Sequence, residues 1–141
     1  MKPASARSKR KRLPTIASLR RKLDKIFSVF IRLRTADDRG IAACVTCQRR
    51  IPWKAGNAGH FIKRQHLATR YDPLNCHFQC VQCNLWRGGN LIEYYRFMEK
   101  TYGRKVVDDL LALKRSTVKL TRPDFEGLIA KFKLPQVKHG D

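Results

Sequence analysis

Apolar residues near the N-terminus recur in a pattern that predicts one long, basic amphipathic helix over residues 13–38. After Pro14 and Thr15 they are spaced three and four positions apart, which places them on one face of an α-helix. These residues are Ile16, Leu19, Leu23, Ile26, Phe27, Phe30 and Leu33. Basic side chains fill most positions between them, and Asp37 with Gly40 forms a suitable stop. The apolar face needs a partner, which is either the rest of the chain or the same helix of a second copy in a homodimer.

The C-terminal part of the chain, residues 91–135, carries three shorter helical patterns. The first begins after Asn90, a common helix-capping residue, and ends at Gly103. The second follows at once, and the third opens at Thr121, which has an acid three positions later as in a capping box. Residues 136–141 are predicted to form a short tail.

The middle of the chain, residues 41–90, contains short apolar runs that predict strands and turns. Residues 51–53 indicate a strand or turn, and residues 76–79 indicate a short strand. The two glycines of residues 54–60 predict a tight turn or a close backbone approach. A helix is expected over residues 81–87. Together these elements predict an α+β fold that is mostly helical.

Charge identifies the class of partner. The 141 residues include 31 Lys and Arg against 11 Asp and Glu, a formal net charge of +20. Self-repulsion on this scale favours a polyanionic partner, above all a nucleic acid, with an acidic membrane surface as the alternative. No apolar run approaches the roughly 18 residues that a membrane span needs, and no secretory signal is recognisable. Residues 1–12 are basic and lack acids, so we predict a disordered tail that binds phosphates.

Four of the five cysteines form two CxxC pairs, Cys44 with Cys47 and Cys80 with Cys83. Four thiolates give a closed tetrahedral shell, so the pairs predict one structural Zn²⁺ site without catalytic function. The 32 residues between the pairs (48–79) must loop out as a subdomain. The fifth, Cys76, has no spaced partner and is interpreted as a small buried side chain. Unpaired thiols and metal ligation indicate a reducing, cytoplasmic location.

Three polar residues in and after this loop have the chemistry of a hydrolytic nuclease. His60 could act as a general base, because neutral imidazole is available near pH 7. Asn84, directly after the last cysteine, could present its amide oxygen to a catalytic divalent metal, and Asn75 could brace the loop that carries His60. Singly, such residues are more often structural histidines and helix caps. Their order within a zinc frame favours catalysis.

His60, Asn75 and Asn84 around the second CxxC pair resemble the HNH, or ββα-metal, nucleases, including zinc-braced junction-resolving endonucleases. The chain is more similar to the phage NinG/Rap recombination nucleases over residues 27–113, in the segments FIRLR…CVTC, NAGHF, NCHFQCVQCN and GGNLIEYYRF. The resemblance implies a zinc-braced ββα-metal module over residues 41–90, flanked by helices. It also implies Mg²⁺- or Mn²⁺-dependent hydrolysis of four-way junctions and displacement loops inside a bacterial host. There His60 would be the base, Asn84 a metal ligand, and phage or host recombination proteins possible partners.

The chain departs from these families at the second ligand of the catalytic metal. Many HNH proteins carry Asp directly before the base, where this chain has Gly59. NinG relatives can carry an acid three positions before it, where this chain has Asn57. The second ligand is therefore open between Asn57, His77 and Asp72. His77 is preferred, as a catalytic and metal-binding residue, because a strand would place it on the same side as Asn75. The equally weighted alternative is a structural histidine of the strand that is hydrogen-bonded to the backbone.

Basic residues of the loop, the last helical turn of the module and the tail are expected to bind the DNA backbone. They are Lys63, Arg64, His66, Arg70, Arg87, Arg10, Lys11 and Arg12. Three alternative functions remain: a non-catalytic zinc DNA-binding recombination accessory protein, a basic ribosome-associated zinc protein, and an HNH endonuclease that acts on linear duplex.

Overall fold

A computed structural model describes residues 10–134, and within that range the chain forms five α-helices and four strands. The helices are α1 (Ile16–Arg34), α2 (Leu67–Arg70), α3 (Leu91–Tyr102), α4 (Arg104–Leu113) and α5 (Arg122–Phe132). The strands are β1 (Ile41–Ala43), β2 (Arg50–Pro52), β3 (Gly56–His60) and β4 (Cys76–Cys80). A 3₁₀ turn (Trp53–Ala55) and a π-helical turn (Gln82–Trp86) complete the middle of the chain. None of the helices in this range combines the length and apolarity that crossing a membrane requires.

The long N-terminal helix forms as predicted but ends at Arg34, earlier than the expected stop. Thr15 caps it by accepting a hydrogen bond from the Ser18 amide at 3.1 Å. It ends early because Asp37 organises the following turn, where its carboxylate accepts the backbone amides of Arg39 and Ile41 at 2.9 Å each.

Helix α1 finds the partner for its apolar face within the chain. Leu23 and Ile31 are fully buried. Phe27 packs edge-on against Phe132 of α5, with 4.9 Å between ring centroids. Helix α1 also contacts the β3–β4 hairpin, so it packs against both the C-terminal helix and the central sheet.

Two antiparallel hairpins carry the CxxC pairs. β1 pairs with β2, and the turn between them holds Cys44 and Cys47. β3 pairs with β4 so that Gly56 lies opposite Cys80 and His60 lies opposite Cys76. Arg87 N donates to Gln82 O at 2.9 Å to close the π-helical turn that follows β4.

Of the two alternatives for the glycines of residues 54–60, the close approach is the one that forms: both glycines lie in strand β3, where close packing requires them. A Cβ on Gly56 would come 2.3 Å from the Phe78 ring, and one on Gly59 would come 2.0 Å from Gln79 Oε1. Both distances are far below van der Waals contact, so the strand can approach its neighbours only without side chains at these positions.

Two predicted helix starts have different outcomes. Thr121 forms the predicted capping box with Asp124, and α5 begins at Arg122. Asn90 does precede α3, but its side chain does not cap the helix: the backbone at Asn90 is left-handed (φ 48°), and its side-chain Nδ2 donates to Cys83 Sγ at 3.6 Å instead. The predicted tail residues 1–9 and 136–141 lie outside the described range, whereas Arg10, Lys11 and Arg12 are exposed and without regular structure.

Candidate metal centre and cleft

The four paired cysteines converge although they come from distant parts of the chain. Their sulfur atoms all lie within 4.8 Å of one another, and Cys47 Sγ is 3.8 Å from Cys80 Sγ. A tetrahedral zinc with Zn–S bonds of about 2.3 Å separates its sulfurs by about 3.8 Å. The four thiols, Cys44, Cys47, Cys80 and Cys83, could therefore hold a metal such as zinc.

Hydrogen bonds to two of the sulfurs favour the thiolate form that a metal needs, whereas burial raises the pKa of Cys47 and of Cys80. The Cys83 amide donates to Cys80 Sγ at 3.4 Å, and the Thr46 hydroxyl lies 3.3 Å from Cys44 Sγ. Burial raises the pKa of Cys44, but the Thr46 hydroxyl and nearby backbone amides outweigh it and lower that pKa to about 6. Cys76 is apart from this cluster, fully buried among the apolar residues around α1, and burial raises its pKa well above the usual value.

A cleft of about 410 Å³ opens between α1, the β3–β4 hairpin and the π-helical turn. It brings together His60, Asn84 and Asn57, three of the predicted site residues. The remaining lining residues are Asp24, Phe27, Ser28, Ala58, Lys63, Arg64, Tyr71 and Leu85. Because Asn84 directly follows Cys83, the thiol cluster fixes the backbone that presents Asn84 to the cleft.

His60 ends strand β3, and its ring is held by the loop that follows. His60 Nε2 lies 2.9 Å from the Arg70 carbonyl oxygen. A carbonyl only accepts, so Nε2 carries the proton and the lone pair of the neutral ring is on Nδ1. Burial lowers the pKa of His60, and the positive charges of Arg64 and Arg70 lower it further, against the opposing effect of the carbonyl. His60 is therefore neutral at pH 7.

Asn75 braces the loop between β3 and β4 from inside the protein. Its fully buried side chain accepts the Ile62 amide at 2.7 Å and donates to the carbonyls of Ile62 and Thr69 at 2.9 and 3.1 Å. The amide oxygen and the amide nitrogen of Asn75 are both hydrogen-bonded. This one side chain therefore connects the start of the loop at Ile62 with its later part at Thr69. Asn75 supports the arrangement around His60 and does not line the cleft.

His77 lies outside the cleft, contrary to its expected place beside Asn84. Its Nδ1 is 3.0 Å from the Tyr94 hydroxyl and its Nε2 is 2.7 Å from the Tyr102 hydroxyl. The Tyr94 hydroxyl donates onward to the Gly59 carbonyl at 2.6 Å. Burial lowers the pKa of His77 to about 3, with a smaller effect from Arg34. Its alternation along β4 points it at α3, so it is a buried hydrogen-bonded residue.

Asp72, the third alternative for the second metal ligand, also lies elsewhere. Its carboxylate accepts the Leu74 amide at 2.9 Å within a turn, and it borders a separate groove beside α2 and α5. Of the three alternatives only Asn57 lines the cleft.

Sequence reasoning missed Asp24, the one acid of α1, which lines the cleft. Arg70 binds it with two nitrogens, Nε at 3.1 Å and Nη2 at 2.7 Å. The Tyr71 hydroxyl donates to it at 2.7 Å, and Arg64 contacts it at 3.3 Å. A single acid in an otherwise basic helix was the available signal.

The predicted DNA-contact residues divide by exposure. Arg64 and Arg87 are exposed, and Lys63 is exposed with its ammonium group 2.8 Å from the Gly88 carbonyl. The Arg70 side chain is only 12% exposed and is paired with Asp24, so its guanidinium is not available to DNA. His66 is half-buried just before α2.

Comparison with known proteins places the chain in a phage family. Two curated relatives, each named Protein ninG, come from Escherichia phage 933W and Enterobacteria phage VT2-Sa. Each is 32% identical over 85 residues, which is 59% of this chain and 39% of the relative. The match therefore spans well under half of their length. No solved structure matches the chain. The family described as Bacteriophage Lambda NinG protein matches residues 2–139, and the chain belongs to that family.

Proposed function

We propose that the chain is a divalent-metal-dependent endonuclease that cleaves branched DNA intermediates of recombination. The observation that carries the proposal is that His60 and Asn84 line one cleft. They are presented by an antiparallel hairpin and the helical turn after it, which is the order of elements in ββα-metal nucleases. Zinc bound by the four cysteines would hold that helical turn against the hairpin.

His60 is suited to take a proton from water. Its neutral form is available at pH 7, and the Arg70 carbonyl directs the lone pair of the ring to Nδ1. Asn75 fixes the loop on which the Arg70 carbonyl lies. A base held in one tautomer and one orientation is what general-base attack on a phosphodiester requires.

The oxygen donors in the cleft fit a hard divalent cation. Asn84 and Asn57 offer amide oxygens, and Mg²⁺ or Mn²⁺ is usually completed by water and substrate phosphate. Such an ion would stabilise negative charge on the scissile phosphate and the leaving oxygen. Asp24 would contribute indirectly, since its oxygens already accept from Arg70, Arg64 and Tyr71.

The surrounding charge suits a nucleic-acid substrate. The chain has a net charge of +20, and Lys63 and Arg64 line the cleft itself. Contacts of this kind hold phosphates without reading sequence, so shape would decide the substrate. The choice of branched DNA rests on the family resemblance and not on the cleft alone.

A direct test compares a labelled four-way junction with a linear duplex of the same arm sequence. The zinc-loaded protein is incubated with each in Mg²⁺, in Mn²⁺ and in Ca²⁺, and the products are resolved on denaturing gels. We expect metal-dependent nicks in the junction, with 5′-phosphate ends, and little cleavage of the duplex. Equal cleavage of both would indicate a linear-duplex enzyme and overturn the substrate assignment.

One observation favours a second candidate, a non-catalytic zinc DNA-binding protein of recombination. Asp24 is the one carboxylate lining the cleft, and its oxygens are occupied by two arginines and a tyrosine. The free donors are then neutral amides, which bind Mg²⁺ less well than carboxylates. This candidate predicts junction binding without cleavage in every metal, so the same gels distinguish the two.

A further inference from the structure

Trp86 is the most exposed large apolar side chain in the range that the structure describes, with 83% of its surface accessible. Its neighbour Leu85 is 64% exposed and lines the cleft with Asn84. A free-standing tryptophan is uncommon on a protein surface, because this side chain normally buries most of its large area. We call Leu85 and Trp86 the apolar tip.

Backbone hydrogen bonds define the turn that carries the apolar tip. Behind it, Gly88 N donates to Leu85 O at 3.3 Å and Gly89 N donates to Cys83 O at 2.9 Å. Gly88 and Gly89 have φ of 59° and 95°, left-handed values that reverse the chain there. The thiol cluster anchors the same turn through Cys83. Trp86 is therefore displayed from a fixed backbone.

Three basic residues lie near the apolar tip. Arg87 follows it directly, and Lys63 Nζ lies 2.8 Å from the Gly88 carbonyl just beyond it. Arg64, whose side chain is 63% exposed, lies on the adjoining cleft. An apolar tip beside these basic side chains complements a ligand that offers flat apolar surfaces next to phosphates. A second copy is a poor match, since two chains of charge +20 repel each other.

We propose that Trp86 stacks on bases whose faces are open at a DNA branch point, beside the strand whose phosphate enters the cleft. Continuous duplex covers its base faces by stacking, whereas branch points, bulges and unpaired ends expose them. Stacking on an aromatic side chain adds affinity for each base and tolerates any base, because every base has a flat π-face. Trp86 thus supplies structure preference without sequence preference. This inference rests on the proposed function, since it names the feature of the substrate that the cleft selects.

Tryptophan fluorescence tests the inference independently of cleavage. The chain has two tryptophans, and Trp53→Phe leaves Trp86 as the single reporter. We use the zinc-loaded protein with Ca²⁺ in place of Mg²⁺, titrated with a four-way junction, a bulged duplex and a linear duplex. Stacking predicts quenching with the first two and little change with the third at equal occupancy.

Affinity measured by gel shift gives the second readout. Trp86→Ala should weaken junction binding on the order of 5- to 100-fold, while linear-duplex binding changes less than about 2-fold. Trp86→Phe should restore part of the difference, and the exposed Ile92→Ala is the matched control, expected to be neutral. Equal quenching by linear duplex, or unchanged junction affinity in Trp86→Ala, would overturn the inference. So would a wild-type dimer in sedimentation that Trp86→Ala dissociates.

The two proposals fail separately. Selective quenching and affinity loss without cleavage in Mg²⁺ or Mn²⁺ would support the role of Trp86 and refute the nuclease assignment. If Trp86→Ala still cleaves junctions with an unchanged preference over linear duplex, the nuclease assignment is supported and the role of Trp86 is refuted.

Discussion

Asp24 of α1 and Arg70 form a two-point ion pair, with 2.7 Å between Arg70 Nη2 and Asp24 Oδ2. The Arg70 carbonyl in turn accepts a hydrogen bond from His60 at 2.9 Å. Helix α1 is therefore connected to the candidate base through one residue, and the long N-terminal helix is part of the site's support.

Removing the charge of Asp24 should loosen that support. Asp24→Asn leaves the largely buried Arg70 guanidinium without its counter-charge, at a cost of about 1–3 kcal/mol in the free energy of unfolding. Urea denaturation of the zinc-loaded protein measures it. The control is Asp109→Asn, which breaks the solvent-exposed pair with Lys105 on α4 and should have a much smaller effect. Equal losses in the two variants would mean that Asp24 does not anchor the loop.

Gly59 should resist any side chain, even the single methyl group of alanine. Its Cβ would lie 2.0 Å from Oε1 of the buried Gln79, whose amide nitrogen is already committed to Thr46 and Gly89. We expect Gly59→Ala to destabilise by about 1–3 kcal/mol through overpacking.

A double-mutant cycle with Gln79→Ala identifies the cause. If the clash is responsible, the double variant should lose clearly less stability than the two single losses added together. Gly127→Ala is the control: Gly127 lies on the exposed face of α5 with nothing within 4 Å of an added Cβ, so this variant should gain up to about 1 kcal/mol in stability. Strict additivity at positions 59 and 79 would disprove the steric explanation.

Acid should destabilise the protein through His77. Burial lowers its pKa from 6.5 to about 3, so the unfolded chain takes up a proton that the folded chain rejects. The free energy of unfolding that depends on a neutral His77 is fully present above pH 6.5 and is lost as the pH falls towards 3. By pH 4 the loss should be on the order of 3 kcal/mol.

The non-titrating His77→Gln variant isolates that loss. The groups facing the ring are the hydroxyls of Tyr94 and Tyr102 and the guanidinium of Arg34. Cysteine protonation and His60 contribute to both proteins alike. The difference in unfolding free energy between wild type and variant should therefore shrink as pH falls, and parallel curves would contradict the assignment.

Metal content should follow the four converging cysteines and ignore the fifth. We expect about one zinc ion per chain, since four thiolates make one closed site. Cys83→Ser should lose most of that zinc, while Cys76→Ala should keep it. Elemental analysis of the purified proteins measures both, and retention of full zinc content in Cys83→Ser would exclude the four-cysteine site.

The helices were predictable because their signals are local. Thr15 and Thr121 cap helices through their own side chains, and Gly103 ends α3 with a φ of 85° that suits glycine. The cysteine spacing is a local signal too, because two residues between cysteines allow each pair to bind one metal from a single turn. The predicted convergence of four thiols is confirmed by their positions.

The parts that escaped prediction depend on long-range packing. Gly59 lies in a strand because the Gln79 side chain fills the space above it. The glycine-rich segment alone does not predict that contact. His77 was placed on the correct strand, but the two tyrosines that bind its ring come from α3, far along the sequence. Asp24 and Arg70 are 46 positions apart in the sequence, so no local pattern predicts their ion pair.

The most direct test of the central claim is His60→Ala on a labelled four-way junction in Mg²⁺. Cleavage rate and junction affinity are measured on the same zinc-loaded preparations, with Ile92→Ala, at an exposed position of α3 outside the cleft lining, as the control. We predict that His60→Ala lowers the cleavage rate at least about 100-fold, the scale of general-base catalysis, while affinity stays within about 2-fold. Cleavage at the wild-type rate by His60→Ala would contradict the account.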